Sequence, residues 1–103
     1  LNAESSFDFK RTRLMQLFET LAPLPFVLVG DSGEHDAEAY LQMAALHPGR
    51  VRAIYIRDVG RSPKRPAVRA LCAEARALGT EMLLMSHAEE ALTHARAAGL
   101  IQP

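Results

Sequence analysis

The loop after the first strongly apolar run carries the residues best suited to chemistry. It runs from Gly30 to Gly33, includes Asp31, and reaches a second acid at Asp36. Its glycines let the backbone turn tightly and approach a ligand. Two carboxylates at the mouth of one loop suit a hard cation such as Mg²⁺, which takes oxygen ligands and keeps several waters. The same residues also suit an ordinary turn in which Asp36 caps the next helix, so both interpretations stay open on physical grounds.

Helix and strand patterns alternate along the chain that must position this loop. Apolar residues at spacings of three and four predict the helices. Apolar runs at 26–29, 51–59 and 81–85 predict three strands. The first run does not alternate with polar residues, which suits a strand covered on both faces. The predicted order is α-β-α-β-α-β-α, an α/β fold with a parallel sheet in a three-layer, Rossmann-like arrangement.

Ligands of such sheets gather at the carboxyl ends of the strands. That rule points to the residues just after 29, 56 and 85. Arg57 lies at the end of the second predicted strand and is a candidate for contacting a phosphate group. The alternative for Arg57 is an ion pair with a neighbouring acid such as Asp58.

Charge is balanced overall but unevenly distributed. The formal net charge is zero, which gives the whole molecule no attraction to nucleic acid. The window 50–69 holds seven basic residues and one acid, so it carries +7 − 1 = +6. This window is predicted either to attract an anionic membrane surface bearing a phosphorylated substrate or to be a solvated basic loop. The single cysteine, Cys72, permits no disulfide within the chain.

The segment from Phe26 to Tyr40 resembles the fourth motif of phosphatases of the haloacid dehalogenase superfamily. That motif is a hydrophobic strand, then Gly-Asp, then a second Asp. The version here has Ser-Gly after Gly-Asp and a tyrosine on the next helix, as in the actin-patch-type phosphatidate phosphatases. Segments 47–59 and 90–101 also resemble that family. The resemblance covers the chain from about Phe9 onward and implies that 1–103 is the C-terminal part of a single phosphatase domain.

The resemblance also implies roles for individual residues. Asp31 would be the principal Mg²⁺ ligand, with Asp36 as a second or water-mediated partner. Lys10, which lies 20 residues before Gly30, fits the third motif, a lysine at a helix start that holds the phosphoryl group. Apart from the resemblance, Ser32 in the same loop and Arg57 at the end of the second predicted strand are candidates for contacting the substrate.

One part of the family pattern is not present in these 103 residues. The superfamily's first motif is a strand that ends in Asp-x-Asp, and this sequence contains no Asp-x-Asp. The nucleophilic Asp, the second motif's Ser or Thr and the central strand are therefore expected upstream of Leu1. We expect the 103-residue chain alone to be inactive. An open apolar sheet edge would also favour association into homo-oligomers.

Two functions follow as hypotheses. The first is part of a Mg²⁺-dependent phosphatase that transfers a phosphoryl group from phosphatidate, or another phosphomonoester, to an upstream Asp and then hydrolyses it. The alternative is a non-catalytic Rossmann-like module that binds an anionic ligand or partner.

Overall fold

The computed structural model describes residues 3–33, 35–59 and 65–102. They form the predicted alternation of elements: α1 (Ala3–Thr20), β1 (Phe26–Asp31), α2 (Asp36–Leu46), β2 (Val51–Arg57), α3 (Arg65–Ala77), β3 (Glu81–Met85) and α4 (Ala88–Ala97). The predicted α/β class and element order are therefore confirmed. The second strand ends at Arg57, two residues earlier than its apolar run.

The three strands form a parallel sheet in the order β1-β2-β3. The pairing register places Asp31 beside Arg57, and Arg57 beside Met85. The last residues of all three strands therefore lie in one row. This row is the carboxyl edge of the sheet, where the sequence predicted a ligand site.

The larger core lies on the face of the sheet that α1, α2 and α3 cover. Ile54 and Ile56 of the central strand are fully buried on this face. Phe18 of α1, Met43 of α2 and Val68 of α3 pack against them in one cluster. Because all three helices contribute to one cluster, the burial of apolar surface here sets the position of α1 relative to α2.

A smaller core lies on the opposite face, under α4. It consists of Ala53, Tyr55, Met85 and Ala95. The buried Tyr55 hydroxyl lies 2.7 Å from Nδ1 of His94, and Nε2 of His94 lies 2.9 Å from a carboxylate oxygen of Glu81. One arrangement satisfies both bonds: Tyr55 donates to Nδ1, and the Nε2–H of His94 donates to Glu81. This chain of hydrogen bonds ties α4 to two strands.

β1 is not covered on both faces, contrary to the sequence prediction. Val27 and Val29 are 43% and 60% exposed, whereas Leu28 between them is buried. The reason is that α4 packs on β3 and on the middle of β2. β1 lies at the edge of the described sheet, where α4 does not cover it. An apolar run without alternation therefore does not by itself show that a strand is buried on both sides. The exposed valines are compatible with self-association, which stays a prediction.

Among the helices that the described residues form, none combines the length and the apolar composition needed to cross a lipid bilayer.

The Tyr55 hydroxyl makes the stability of the fold change with pH in the alkaline range. Burial, and then the charge of Glu81, raise the pKa of Tyr55 above its usual value near 10. A group whose pKa is raised on folding contributes stability that is complete below its unfolded pKa and lost as pH rises through its folded pKa. We therefore expect the free-energy difference between wild type and Tyr55→Phe to be constant below about pH 9 and to shrink above about pH 10. Urea unfolding at several pH values measures it, and a difference that is flat to pH 11 contradicts the prediction.

Candidate active site

Asp31 ends β1 and its side chain shapes the loop that follows. The backbone N–H of Gly33 donates to Oδ1 of Asp31 at 3.0 Å. This bond closes a tight turn in which an aspartate side chain accepts a hydrogen bond from the backbone N–H two residues later. It leaves the Asp31 carboxylate at the carboxyl edge of the sheet, partly exposed, where a ligand can reach it.

Asp36, the first residue of α2, is the most heavily engaged acid of the site. The residue is 8% exposed. Its Oδ2 accepts the backbone N–H of Asp31 at 3.0 Å, and its Oδ1 lies 2.9 Å from Nζ of Lys10. One buried carboxylate thus joins the end of β1, the start of α2 and the middle of α1. Because a buried charge is costly unless it is paired, these two contacts are what make Asp36 tolerable in this position.

Lys10 comes to the site from a different part of its helix than predicted. The resemblance placed it at a helix start, but α1 begins at Ala3 and Lys10 lies inside it. The sequence pattern missed the first turns because the 3.6-residue apolar periodicity starts only near Leu14. Nearby basic residues point elsewhere: Nε of Arg11 donates to Gln42, and the guanidinium of Arg13 lies over the Phe9 ring. Lys10 therefore reaches the predicted loop, although the helix-start position was wrong.

Ser32 is fully buried and fastens the loop to the neighbouring strand. Its N–H donates to the carbonyl of Arg57 at 2.9 Å, and its hydroxyl accepts the N–H of Val59 at 3.1 Å. A hydroxyl in this position reaches a substrate only if the loop after β2 moves. Ser32 as a substrate contact stays a prediction, and what the structure gives it is a positioning role.

Arg57 is exposed at the carboxyl edge, next to Asp31 in the sheet register. Its backbone carbonyl accepts the N–H of Ser32, and its side chain is accessible to solvent. The structure therefore brings Lys10, Asp31, Ser32, Asp36 and Arg57 to one edge of the molecule. Whether Arg57 contacts a substrate stays a prediction.

Tyr40, the tyrosine of the family motif on α2, is a site residue to which the sequence analysis assigned no role. Its hydroxyl donates to the carbonyl of Val29 at 2.9 Å. Burial, and then the negative charge of Asp36, raise the pKa of Tyr40, whereas Lys10 acts in the opposite direction. The signal was present in the sequence: Tyr40 lies four residues after Asp36 and therefore one turn along the same helix face.

The carboxylates of the site are chemically suited to a Mg²⁺ ion held only partly by protein, and this metal stays a prediction. Among the described residues, no three His, Cys, Asp or Glu side chains are grouped so that they could hold a metal ion. Mg²⁺ is commonly bound by one or two carboxylates, with waters and substrate phosphate filling its other positions. Asp31, partly exposed beside Arg57, has this character.

The site lies at the carboxyl edge of a parallel sheet, where α/β domains bind their ligands. The family model described as "Phosphatidate phosphatase APP1, catalytic domain" matches residues 1–58, more than half of this chain. That segment contains all five predicted site residues. The chain therefore belongs to the family of phosphatidate phosphatase APP1 catalytic domains.

Individual relatives agree with the family match over a similar length. Phosphatidate phosphatase APP1 of Saccharomyces cerevisiae is 43% identical over 53 residues, which are 52% of this chain and 9% of that protein. An uncharacterized protein of Schizosaccharomyces pombe is 44% identical over 50 residues, which are 48% of this chain and 8% of that protein. The chain thus spans less than a tenth of the length of these curated relatives. No solved structure gives a significant match.

Gly30 allows Asp36 to reach the end of β1. A Cβ at position 30 would lie 2.5 Å from Oδ2 and 2.6 Å from Cβ of Asp36. We expect Gly30→Ala to push Asp36 away from the Asp31 N–H and Lys10 and to lower the free energy of unfolding by about 1–3 kcal/mol. Urea denaturation measures the change.

Gly33→Ala is the matched control, because a Cβ there meets nothing closer than Cγ2 of the exposed Val59 side chain at 3.2 Å. Its effect should be clearly smaller than that of Gly30→Ala. Equal effects would mean that the close approach of Gly30 to Asp36 does not matter to stability.

Proposed function

We propose that this chain is the C-terminal part of a Mg²⁺-dependent phosphatase of the haloacid dehalogenase type, acting on phosphatidate or a related phosphomonoester. The observation that carries the proposal is the contact of Lys10 with Asp36 beside Asp31, at the carboxyl edge of the sheet. A cation and two acids in this position can balance the charges of a phosphoryl group and of a metal ion. Membership of the phosphatidate phosphatase family supports the substrate class.

Asp31 would hold the Mg²⁺, with Asp36 as a second or water-mediated partner. When bound, Mg²⁺ offsets negative charge on the phosphoryl oxygens and orients them for in-line displacement. Both oxygens of Asp36 already accept a hydrogen bond or an ion pair, so Asp36 suits an outer position. Such partners orient the groups that touch the metal or substrate.

Positively charged side chains would bind the phosphoryl group. The Lys10 side chain is about one third exposed, so a phosphoryl group at the edge of the sheet can approach it. Asp36 holds this ammonium group in place, which lowers the cost of orienting it when the substrate binds. The exposed guanidinium of Arg57 is suited to bind two further oxygens of the phosphate group. These preorganised charges would stabilise the charge that develops during transfer.

The covalent step requires a nucleophile from outside these 103 residues. An upstream Asp would attack phosphorus to form an aspartyl phosphate, with the lipid alcohol as leaving group. Water would then hydrolyse this intermediate and release inorganic phosphate. A second upstream Asp would protonate the leaving group and deprotonate the water. This chain would contribute the metal and phosphate-binding half of the site.

The alternative is a non-catalytic module that binds an anionic ligand with the same residues. The sequence observation that favours it is the lack of an Asp-x-Asp motif in the chain. In that case Lys10 and Arg57 would recognise a phosphate group without hydrolysing it.

A further part of the proposal is an anionic membrane surface as partner. Arg52, Arg57 and Arg69 of the basic window are exposed, but the window is not one patch. Arg50 donates to the carbonyl of Leu24 at the amino end of β2, about 20 Å from Arg57 at its carboxyl end. Residues 60–64, which carry part of the charge, lie outside the described residues. Arg57, at the site edge, is therefore the described residue best placed to meet a lipid headgroup.

The phosphatase proposal is tested on the full-length natural protein. We expect phosphate release from phosphatidate to require Mg²⁺ and to fall roughly a hundredfold or more in Asp31→Asn, the scale of losing one electrostatic contact to a transition state. Lys10→Met should also lower kcat, since the phosphoryl group loses its cation. Released phosphate is measured at saturating Mg²⁺.

Asp8→Asn is the matched control, because Asp8 is an exposed acid on the same helix as Lys10. It should retain wild-type activity, and the isolated 103-residue chain should release no phosphate. If the long protein binds phosphatidate but releases no phosphate with any metal, the binding-module alternative replaces the phosphatase proposal.

The membrane proposal predicts salt-sensitive binding to vesicles that contain phosphatidate or phosphatidylserine. Cosedimentation should weaken markedly between about 0.05 and 0.5 M salt because charge attraction is screened. Arg57→Gln should bind less than Gln16→Ala, a change at an exposed neutral position of α1. Binding that does not respond to salt or to Arg57 would remove this part of the proposal.

A further inference from the structure

The outer edge of β3 carries a groove that the proposed phosphatase site does not use. β3 is the last strand of the described sheet, on the side away from β1. α3 packs on it, and one stripe of α3 overhangs the strand. Arg69, Cys72 and Arg76 of this stripe, with Met82 and Leu84 of β3, line a groove of about 300 Å³.

The backbone of β3 points alternate polar groups into this groove. The N–H of Asp58, just after β2, donates to the carbonyl of Met85 at 2.8 Å, so Met85 faces β2. Because N–H and C=O directions alternate along a strand, the backbone groups of Met82 and Leu84 face outward. Burial raises the pKa of the Cys72 thiol, and the neighbouring Leu84 backbone acts in the opposite direction, so Cys72 lies beside this edge. The outward backbone groups of Met82 and Leu84 thus form the outer strand edge of the described sheet.

Both charged side chains that line the groove are arginines. Two acids on the same elements have other surroundings: Glu74 of α3 lines the cleft between α3 and α2, and Glu81 of β3 is bonded to His94. Arg69 and Arg76 are two helical turns apart, about 10 Å along α3. Three to four residues of an extended chain cover that distance. The groove therefore offers backbone hydrogen-bonding groups flanked by positive charge.

The edge of β1 differs, although it is also the end of the described sheet. The two outward groups at its carboxyl end are already bonded to side chains of α2. The Val29 carbonyl accepts the Tyr40 hydroxyl, and the Asp31 N–H donates to Asp36. A strand added to β3 would instead meet two exposed arginines.

We propose that the β3 edge binds an extended, acidic segment of a partner protein as a fourth strand. The partner's backbone would pair with Met82 and Leu84, which is the mode by which many domains add a peptide to a sheet edge. Acidic side chains of the segment would pair with Arg69 and Arg76. This inference goes beyond the proposed phosphatase function and does not depend on it.

The test uses a capped hexapeptide in which glutamate and valine alternate, titrated into ¹⁵N-labelled chain. We expect saturable shifts of the Met82 and Leu84 amide signals. Arg69→Glu and Arg76→Glu should each weaken binding by about three- to tenfold, since each replaces an exposed ion pair by repulsion. Arg96→Glu is the matched control, an exposed arginine on α4 that should leave the affinity unchanged.

Other outcomes overturn the proposal. A lysine–valine hexapeptide that binds equally well would exclude charge recognition. A peptide with N-methyl groups on alternate residues that binds equally well would exclude strand pairing. Free glutamate that binds as tightly as the peptide would indicate a site for small anions. Chemical-shift changes confined to β1, or no change at millimolar peptide, would show that the β3 edge does not bind the peptide. Arg76→Gln, which removes charge without reversing it, provides a milder variant should Arg76→Glu disturb folding.

Discussion

The carboxylate of Asp36 is the group on which the rest of the site depends. It is nearly buried, and it is joined to Lys10 from α1 and to the backbone of Asp31 at the end of β1. A buried carboxylate without such partners would cost several kilocalories per mole, so the three elements must stay together for the charge to be tolerated. Gly30 makes this possible because it leaves the space that Asp36 fills. The arrangement keeps Lys10 and Asp31 in fixed relation before any ligand arrives.

The neighbouring loop is held in the same way, by short-range bonds across strand ends. Ser32 bonds to the carbonyl of Arg57 and to the N–H of Val59, so the loop after β1 and the segment after β2 move as one unit. The exposed Arg57 side chain therefore extends from a backbone segment that these hydrogen bonds hold in place. A site of this construction suits phosphate chemistry, since electrostatic stabilisation requires charges that do not need to reorganise. The family match covers this part of the chain, from α1 to the end of β2 and Asp58.

The outer edges of β1 and β3 differ in the side chains that lie beside their outward backbone groups, and this difference affects which partners can bind. The β1 edge is partly closed by Tyr40 and Asp36, yet Val27 and Val29 remain exposed on one of its faces. The β3 edge carries outward backbone groups between two arginines and one thiol. An unpaired edge invites another strand unless charge or cover prevents it. Here the charges select what can pair: a segment with acidic side chains is attracted, and a basic one is repelled.

The sequence by itself determined the element order, the parallel sheet and the loop that carries Asp31 and Asp36. These follow from local patterns, namely the spacing of apolar residues, Gly and Pro positions and a short motif. It also singled out Lys10, but only through resemblance, because nothing local relates residue 10 to residue 36. Tertiary structure alone decided that Lys10 meets Asp36 from within α1, that Tyr40 bonds to the β1 backbone, and that one face of β1 is open. Such contacts depend on how helices pack on a sheet, and a pattern along one element does not record which neighbour will lie beside it.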